Sequence, residues 1–82
     1  MNLEFDQDKR DKTLLERGLD FARAVEVFEG NHFTGQDRFI TVGWFEARLV
    51  GVVWTPRGEV RRIISMRKAN DREKALYPRH LE

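Results

Sequence analysis

The stretch RFITVGWFEARLVGVVWTPRGEVRRIISM, residues 38–66, decides the fold. It divides into three runs, 38–45, 48–55 and 59–66, each heavy in Val, Ile, Phe and Trp. Those residues fit a pleated, half-buried surface, so three strands are expected. The gap at Glu46-Ala47 is short enough for a hairpin. The second gap, Thr55-Pro56-Arg57-Gly58, carries Pro and Gly at the second and fourth positions that a type I turn prefers. Two tight links in succession predict an antiparallel meander. The middle run, Leu49 to Trp54, is apolar on both faces, so it is expected at the centre, covered on both sides.

Before the sheet, Leu3 and Phe5 alternate with polar neighbours, as in a short first strand. Asp8 is expected to cap a helix over about residues 9–17, which Gly18 ends in the left-handed conformation. Asp20 is expected to cap a second helix, with Phe21, Ala24, Val25 and Phe28 as its apolar stripe and Glu29-Gly30-Asn31 as its stop. After the sheet, Asn70 and Glu73 have the spacing of a capping box for a last helix, on which Leu76 faces inward. The predicted class is α+β. Its small antiparallel sheet is a three-stranded meander plus a short N-terminal strand, with two N-terminal helices and one C-terminal helix. Residues 1–82 are expected to form one domain.

The chain has 82 residues and no cysteine, which leaves no disulfide framework and no thiolate metal site. No apolar run approaches the ~20 residues that span a bilayer. The opening MNLEFDQDKR does not read as a signal peptide, so a cytoplasmic protein without membrane partners is expected. The net charge of +1 conceals an asymmetry. Residues 1–54 carry 7 Lys and Arg against 10 Asp and Glu, a balance of −3, whereas residues 55–82 carry 8 against 4, a balance of +4. A basic C-terminal third is either the footprint of an anion or nucleic-acid binder or a well-solvated surface.

The basic residues concentrate in RIISMRKANDREKALY, residues 62–77, where a strand feeds directly into a helix. Arg62, Arg67, Lys68, Arg72 and Lys74 are expected to gather at this corner, where a helix N-terminus also favours a phosphate. A period of two puts Arg62, Ile64 and Met66 on one face and Arg61, Ile63, Ser65 and Arg67 on the other. Arg67 either holds a phosphate or pairs with Asp71 or Glu73. Ser65 can donate to a phosphate, but no His/Asp partner supports a nucleophile triad. Glu73 is a helix cap or a base. Tyr77 is a proton donor, a stacking platform or a packed ring. His32, placed in a loop before the sheet, is a candidate general base. With His80 in the tail, two isolated histidines give no ligand spacing, so no metal and no cofactor are expected. Trp44 and Trp54 suit packing or a partner interface.

Phe5-Asp6, Arg17-Gly18, Phe21-Ala22, Val27-Phe28, Arg38 to Gly43 and, most specifically, Arg62-Ile63-Ile64-Ser65-Met66-Arg67-Lys68-Ala69 with Glu73 and Tyr77 resemble the BrnT family. These are type II toxin–antitoxin ribonucleases similar to the RelE-type toxins. The resemblance implies a metal-independent endoribonuclease that inhibits growth by cutting cellular RNA. It also implies a BrnA-like antitoxin, a small DNA-binding protein whose complex with the toxin represses their operon. Metal-free RNA cleavage needs the 2′-hydroxyl deprotonated, the pentavalent phosphate stabilised and the leaving oxygen protonated. On the resemblance, Arg38, Arg67 and Lys68 hold the phosphate, and Asp37, His32, Glu73 or Tyr77 moves protons. Arg61, Arg62, Ser65 and Arg72 are the expected RNA-binding residues around them. Two departures stand out. Glu16-Arg17-Gly18 replaces the family's usual Lys-His-Gly, and Gln36 in a shortened loop replaces a glutamate. The rival readings are a non-catalytic nucleic-acid-binding module and a partner-dependent interaction protein.

Overall fold

The computed structural model describes residues 2–30, 32–34 and 39–81, with backbone alone for 78–81. Strand β1 (Asn2–Phe5) leads into helix α1 (Gln7–Arg17), a 3₁₀ turn (Phe21–Arg23) and the short helix α2 (Val25–Glu29). Strands β2 (His32–Thr34), β3 (Ile40–Phe45), β4 (Arg48–Arg57) and β5 (Val60–Lys68) follow, then helix α3 (Asp71–Leu81). The five strands form one mixed sheet in the order β1-β5-β4-β3-β2. β3, β4 and β5 are the expected meander, and β4 lies at its centre.

The sheet is larger than the sequence led us to expect. His32 begins an edge strand and does not lie in a loop; it pairs with Gly43. Three residues give too short an alternation to read. β1 runs parallel to β5, with Leu3 opposite Arg61 and Phe5 opposite Ile63, so the sheet is not purely antiparallel.

Burial divides β4 between two cores. Val50 and Val52 are fully buried beneath Leu19, Phe21, Ala24, Val27 and Phe28, together with Phe45, Ile63 and Met66. On the opposite face Leu49 packs with Val42, Ala69 and Tyr77 under α3. A strand covered on both sides explains the continuous apolar run.

Four local expectations change. The first helix begins after Asp6, not Asp8: the Asp6 carboxylate accepts the Lys9 N–H at 3.0 Å. Its predicted end holds, with Gly18 left-handed at φ 68° and bonded to the Leu14 carbonyl. The expected second helix is broken in two. Asp20 caps the 3₁₀ turn, and a turn of three residues puts Ala24 above Phe21. The following α-turn then buries Val27 and leaves Val25 half-buried. In the second hairpin β4 continues through Pro56 to Arg57, and the turn is Gly58-Glu59 with Gly58 at φ 60°. A two-residue link with positive φ at its first position matches the right-handed strand twist better than a type I turn. In β5, Val53 pairs with Ser65 and Trp54 with Ile63, leaving Ile64 bulged. The bulge resets the alternation, so Ile63 and Met66 share the buried face despite standing three apart.

Helix α1 buries no side chain, and Leu15 is 87% exposed. Polar contacts hold it. Arg10 grips Asp20 through two bonds of 2.9 and 3.0 Å, while Asp20 also accepts the Ala22 N–H. Among the described residues no helix is long and apolar enough to cross a membrane.

Because Asp20 is both cap and tether, Asp20→Ala is expected to cost about 1–2 kcal/mol. Urea unfolding should show the loss, and hydrogen exchange should show α1 losing at least as much protection as the central strand β4.

Candidate functional site

Beyond Lys68 the chain turns through Ala69 and Asn70 into α3. The Ala69 N–H bonds the Leu49 carbonyl at 2.9 Å and so fixes the start of the turn to β4. Asn70 Oδ1 accepts the Glu73 N–H at 2.8 Å, and Glu73 Oε1 accepts the Asn70 N–H at 3.0 Å. This is the expected capping box. The same carboxylate also takes both Arg67 Nη groups, at 2.7 and 2.9 Å. Glu73 is therefore cap and ion-pair partner together.

Gly51 makes this arrangement possible. It stands opposite Arg67 in the β4–β5 pairing. A Cβ there would lie 3.0 Å from Arg67 Nη1, 3.3 Å from its Cζ and 3.4 Å from Glu73 Oε1. The ion pair lies across the one place on β4 with no side chain beneath it. The Arg67 bonds hold the Glu73 carboxyl below its ordinary pKa, against the opposing effect of burial, and the backbone N–H of Asn70 adds to the lowering. Glu73 in turn raises the Arg67 pKa.

Beside this corner lies a cleft of about 510 Å³ lined by Glu16, Arg17, Leu19, Arg48, Arg67 and Lys68. Arg17 Nη1 donates to the Met66 carbonyl at 3.0 Å. Arg48 donates to the carbonyls of Gly18 at 3.2 Å and Arg17 at 3.5 Å, at the C-terminus of α1. Carbonyls orient a guanidinium without cancelling its charge. The Lys68 side chain is exposed and its ammonium makes no ion pair or hydrogen bond among the described residues, though its backbone carbonyl accepts from Arg67 Nη1 at 3.3 Å; the Glu16 carboxylate likewise has no partner among them. Arg17, Arg48 and Lys68 thus present uncompensated positive charge, whereas the charge of Arg67 is balanced by Glu73. A second cleft of about 530 Å³ adjoins the first, with Trp44, Ala47, Leu49, Lys74 and Tyr77 on its walls. Arg48 and Lys68 line both.

The predicted residues divide. Arg67, Lys68 and Glu73 meet at the corner, and Tyr77 stands one turn further along α3, 8% exposed and edge-on to Trp44. Arg72 is exposed on α3. Arg62 does not join the corner. It is five residues back along β5, roughly 16 Å, and donates to Glu4 at 2.7 Å. Arg61 stacks over Phe28 and Trp54, 4.3 and 4.7 Å from the ring centroids. Both are occupied in structural contacts, which the charge pattern did not reveal. Ser65 borders a groove with Lys9, Lys12 and Thr13 that shares Glu16 and Arg17 with the first cleft. His32 is three strand spacings from Lys68 across Gly43 and Val50, about 14 Å. Its Nδ1 donates to the Gly30 carbonyl at 2.7 Å, which fixes the tautomer. Asp37 and Arg38 lie outside the described residues. Arg17, Arg48 and Glu16 enter the cleft without having been singled out as site residues. The clue was their place at the helix end and the strand start, which only the tertiary fold brings together. Among the described residues no three His, Cys, Asp or Glu side chains converge as metal ligands.

The model of a protein family, the ribonuclease toxin BrnT of type II toxin–antitoxin systems, matches residues 5–73. Among solved structures, the chain resembles the 1.1 Å crystal structure of the Brucella abortus ribonuclease toxin BrnT. The two are 30% identical with a TM-score of 0.65, and the match covers 87% of this chain and 99% of that one. No curated protein matches the chain. The α+β architecture, with its five-stranded mixed sheet, is that of a type II ribonuclease toxin. Within that class the chain belongs to the BrnT family. Membership implies an RNA target and an antitoxin partner.

Glu73→Gln keeps the capping shape but removes the charge, and should lower stability by about 1–2 kcal/mol at pH 7. A carboxyl whose folded pKa is depressed contributes stability above its unfolded pKa of roughly 4.3 and loses it as pH falls through the folded value. The difference between wild type and Glu73→Gln in urea unfolding should therefore vanish in acid. Gly51→Ala should cost about 1–3 kcal/mol by displacing the ion pair, with the loss largely absent in the Glu73→Gln background.

Proposed function

We propose that this protein is a toxin endoribonuclease that cuts cellular RNA in the cytoplasm without a metal ion and so inhibits growth. A BrnA-like antitoxin, a small DNA-binding protein, neutralises it, and the pair represses its own operon. The observation that carries the catalytic proposal is the set of three cations, Arg17, Arg48 and Lys68, around one cleft. The two guanidinium groups are oriented by carbonyls and the Lys68 ammonium has no partner among the described residues, so their charge remains available for a phosphodiester.

In the proposed reaction Glu16, the carboxylate lining this cleft, removes the proton of a ribose 2′-hydroxyl. The 2′-oxygen attacks the adjacent phosphorus and the bond to the 5′-oxygen breaks. Arg17 and Arg48 hold the equatorial oxygens, on which charge accumulates. Lys68, at the rim, supplies the proton that the departing 5′-oxygen takes. The products are a 2′,3′-cyclic phosphate and a 5′-hydroxyl. Glu73 is a poor base here, since Arg67 and Asn70 stabilise its carboxylate. Arg67 then serves to build the corner more than to bind the substrate.

Purified protein in excess EDTA should cut a defined single-stranded RNA and leave those termini. Arg48→Ala and Lys68→Ala should each lower kcat/KM by about 10²- to 10³-fold, and Glu16→Gln should lower kcat with little change in KM. Salt-sensitive RNA binding without any product would instead select a non-catalytic binding module. Growth arrest on expression, relieved by co-expressing the antitoxin gene, tests the cellular half of the proposal.

A further inference from the structure

The second cleft has its own chemistry. β3 is buried along most of its length, yet Trp44, its penultimate residue, is 50% exposed. Its indole meets the Tyr77 ring edge-on, at 87° and 6.2 Å, which accounts for its orientation but leaves half its surface in water. Leu49 stands directly opposite on β4. Arg48, Lys68 and Lys74 surround this apolar wall, and none of them forms an ion pair among the described residues. An exposed aromatic platform fenced by free cations does not suit an ordinary protein core. It does suit a flat, uncharged ring carried on an anionic backbone.

We propose that Trp44 stacks an unpaired base of the RNA substrate, next to the phosphate held in the first cleft. The inference rests on that cleft being the RNA site and extends it, because Arg48 and Lys68 line both clefts. A backbone crossing the rim at these two residues would place one phosphate towards Arg17 and the neighbouring base over Trp44. Lys74 would face the phosphate on its far side. The substrate implied is single-stranded RNA, since a base engaged in a duplex has no free face to stack. Stacking tolerates any base, so this subsite fixes register more than sequence. Trp44 is therefore a positioning residue.

The test measures binding of the full chain to a short single-stranded oligonucleotide blocked against cleavage by 2′-O-methylation. A series of the same oligonucleotide carries one abasic position moved along its length. Wild type should lose affinity roughly tenfold at one abasic position near the cleavage point. Trp44→Ala should bind the intact oligonucleotide as weakly and show no further loss at that position, whereas Trp44→Phe should restore most of the affinity. On a cleavable RNA, Trp44→Ala should raise KM more than it lowers kcat. The abasic series on wild type depends on no variant's folding. If no abasic position matters while Arg48→Ala abolishes cleavage, the stacking subsite is wrong and the ribonuclease cleft stands. If Trp44→Ala leaves RNA binding intact and weakens only antitoxin binding, the surface belongs to the protein partner and the proposal fails. If wild type neither binds nor cuts RNA, both proposals fall.

Discussion

The bidentate pair between Arg67 and Glu73 is the constraint on which this molecule's corner depends. One carboxylate closes the capping box of α3, neutralises a cation at the end of β5, and lies over the only position on β4 that offers no Cβ. Three elements meet there at a group only 13% exposed. Burying a charge is costly unless it is paired and hydrogen-bonded, and here each carboxylate oxygen has a cationic donor. The direction of α3 is therefore set at its first turn, and that direction determines where Tyr77 and Lys74 stand relative to Trp44.

A second constraint works on the other face of the sheet. α1 has no buried side chain, so apolar packing cannot position its C-terminus. Hydrogen bonds from guanidinium groups do so instead: Arg10 to Asp20 at one end, Arg17 to the Met66 carbonyl and Arg48 to the Gly18 carbonyl at the other. Two of these three bonds use residues that also line the cleft. The contacts that hold the helix are thus the contacts that orient the cations, and a weakly packed helix carries an ordered set of donors. Carbonyl acceptors suit that double use, because the partial negative charge at a helix C-terminus attracts Arg without consuming its full charge.

Most of the fold was legible because its signals are local. The β4 run, the Gly18 stop, the Glu46-Ala47 hairpin and the Asn70–Glu73 cap each follow from residue type and spacing over a few positions. What escaped was set by distant partners. The Ile64 bulge inverted the face assignment along β5, a three-residue edge strand took its pairing from β3, and β1 chose a parallel neighbour. The site was half legible for the same reason. Arg67, Lys68 and Glu73 are close in sequence and were found together. Arg62 lies as close to them in sequence, yet an extended strand carries it away to Glu4. Arg17 and Arg48 are 31 residues apart, and only the turn of α1 onto the start of β4 joins them.

The departure at Glu16-Arg17-Gly18 acquires a physical sense from this geometry. Where the family usually reads Lys-His-Gly, it offers a cation followed by a group able to exchange protons near neutral pH. This chain offers a carboxylate followed by a cation. Both residues occupy the last turn of α1, just before the left-handed glycine, and both line the same cleft. On the proposed mechanism the carboxylate takes the proton and the neighbouring guanidinium holds the phosphate. That role also explains why Arg, and not Lys, stands second: a planar guanidinium can bond the Met66 carbonyl with one nitrogen and keep others for a phosphate, which a compact ammonium does less well.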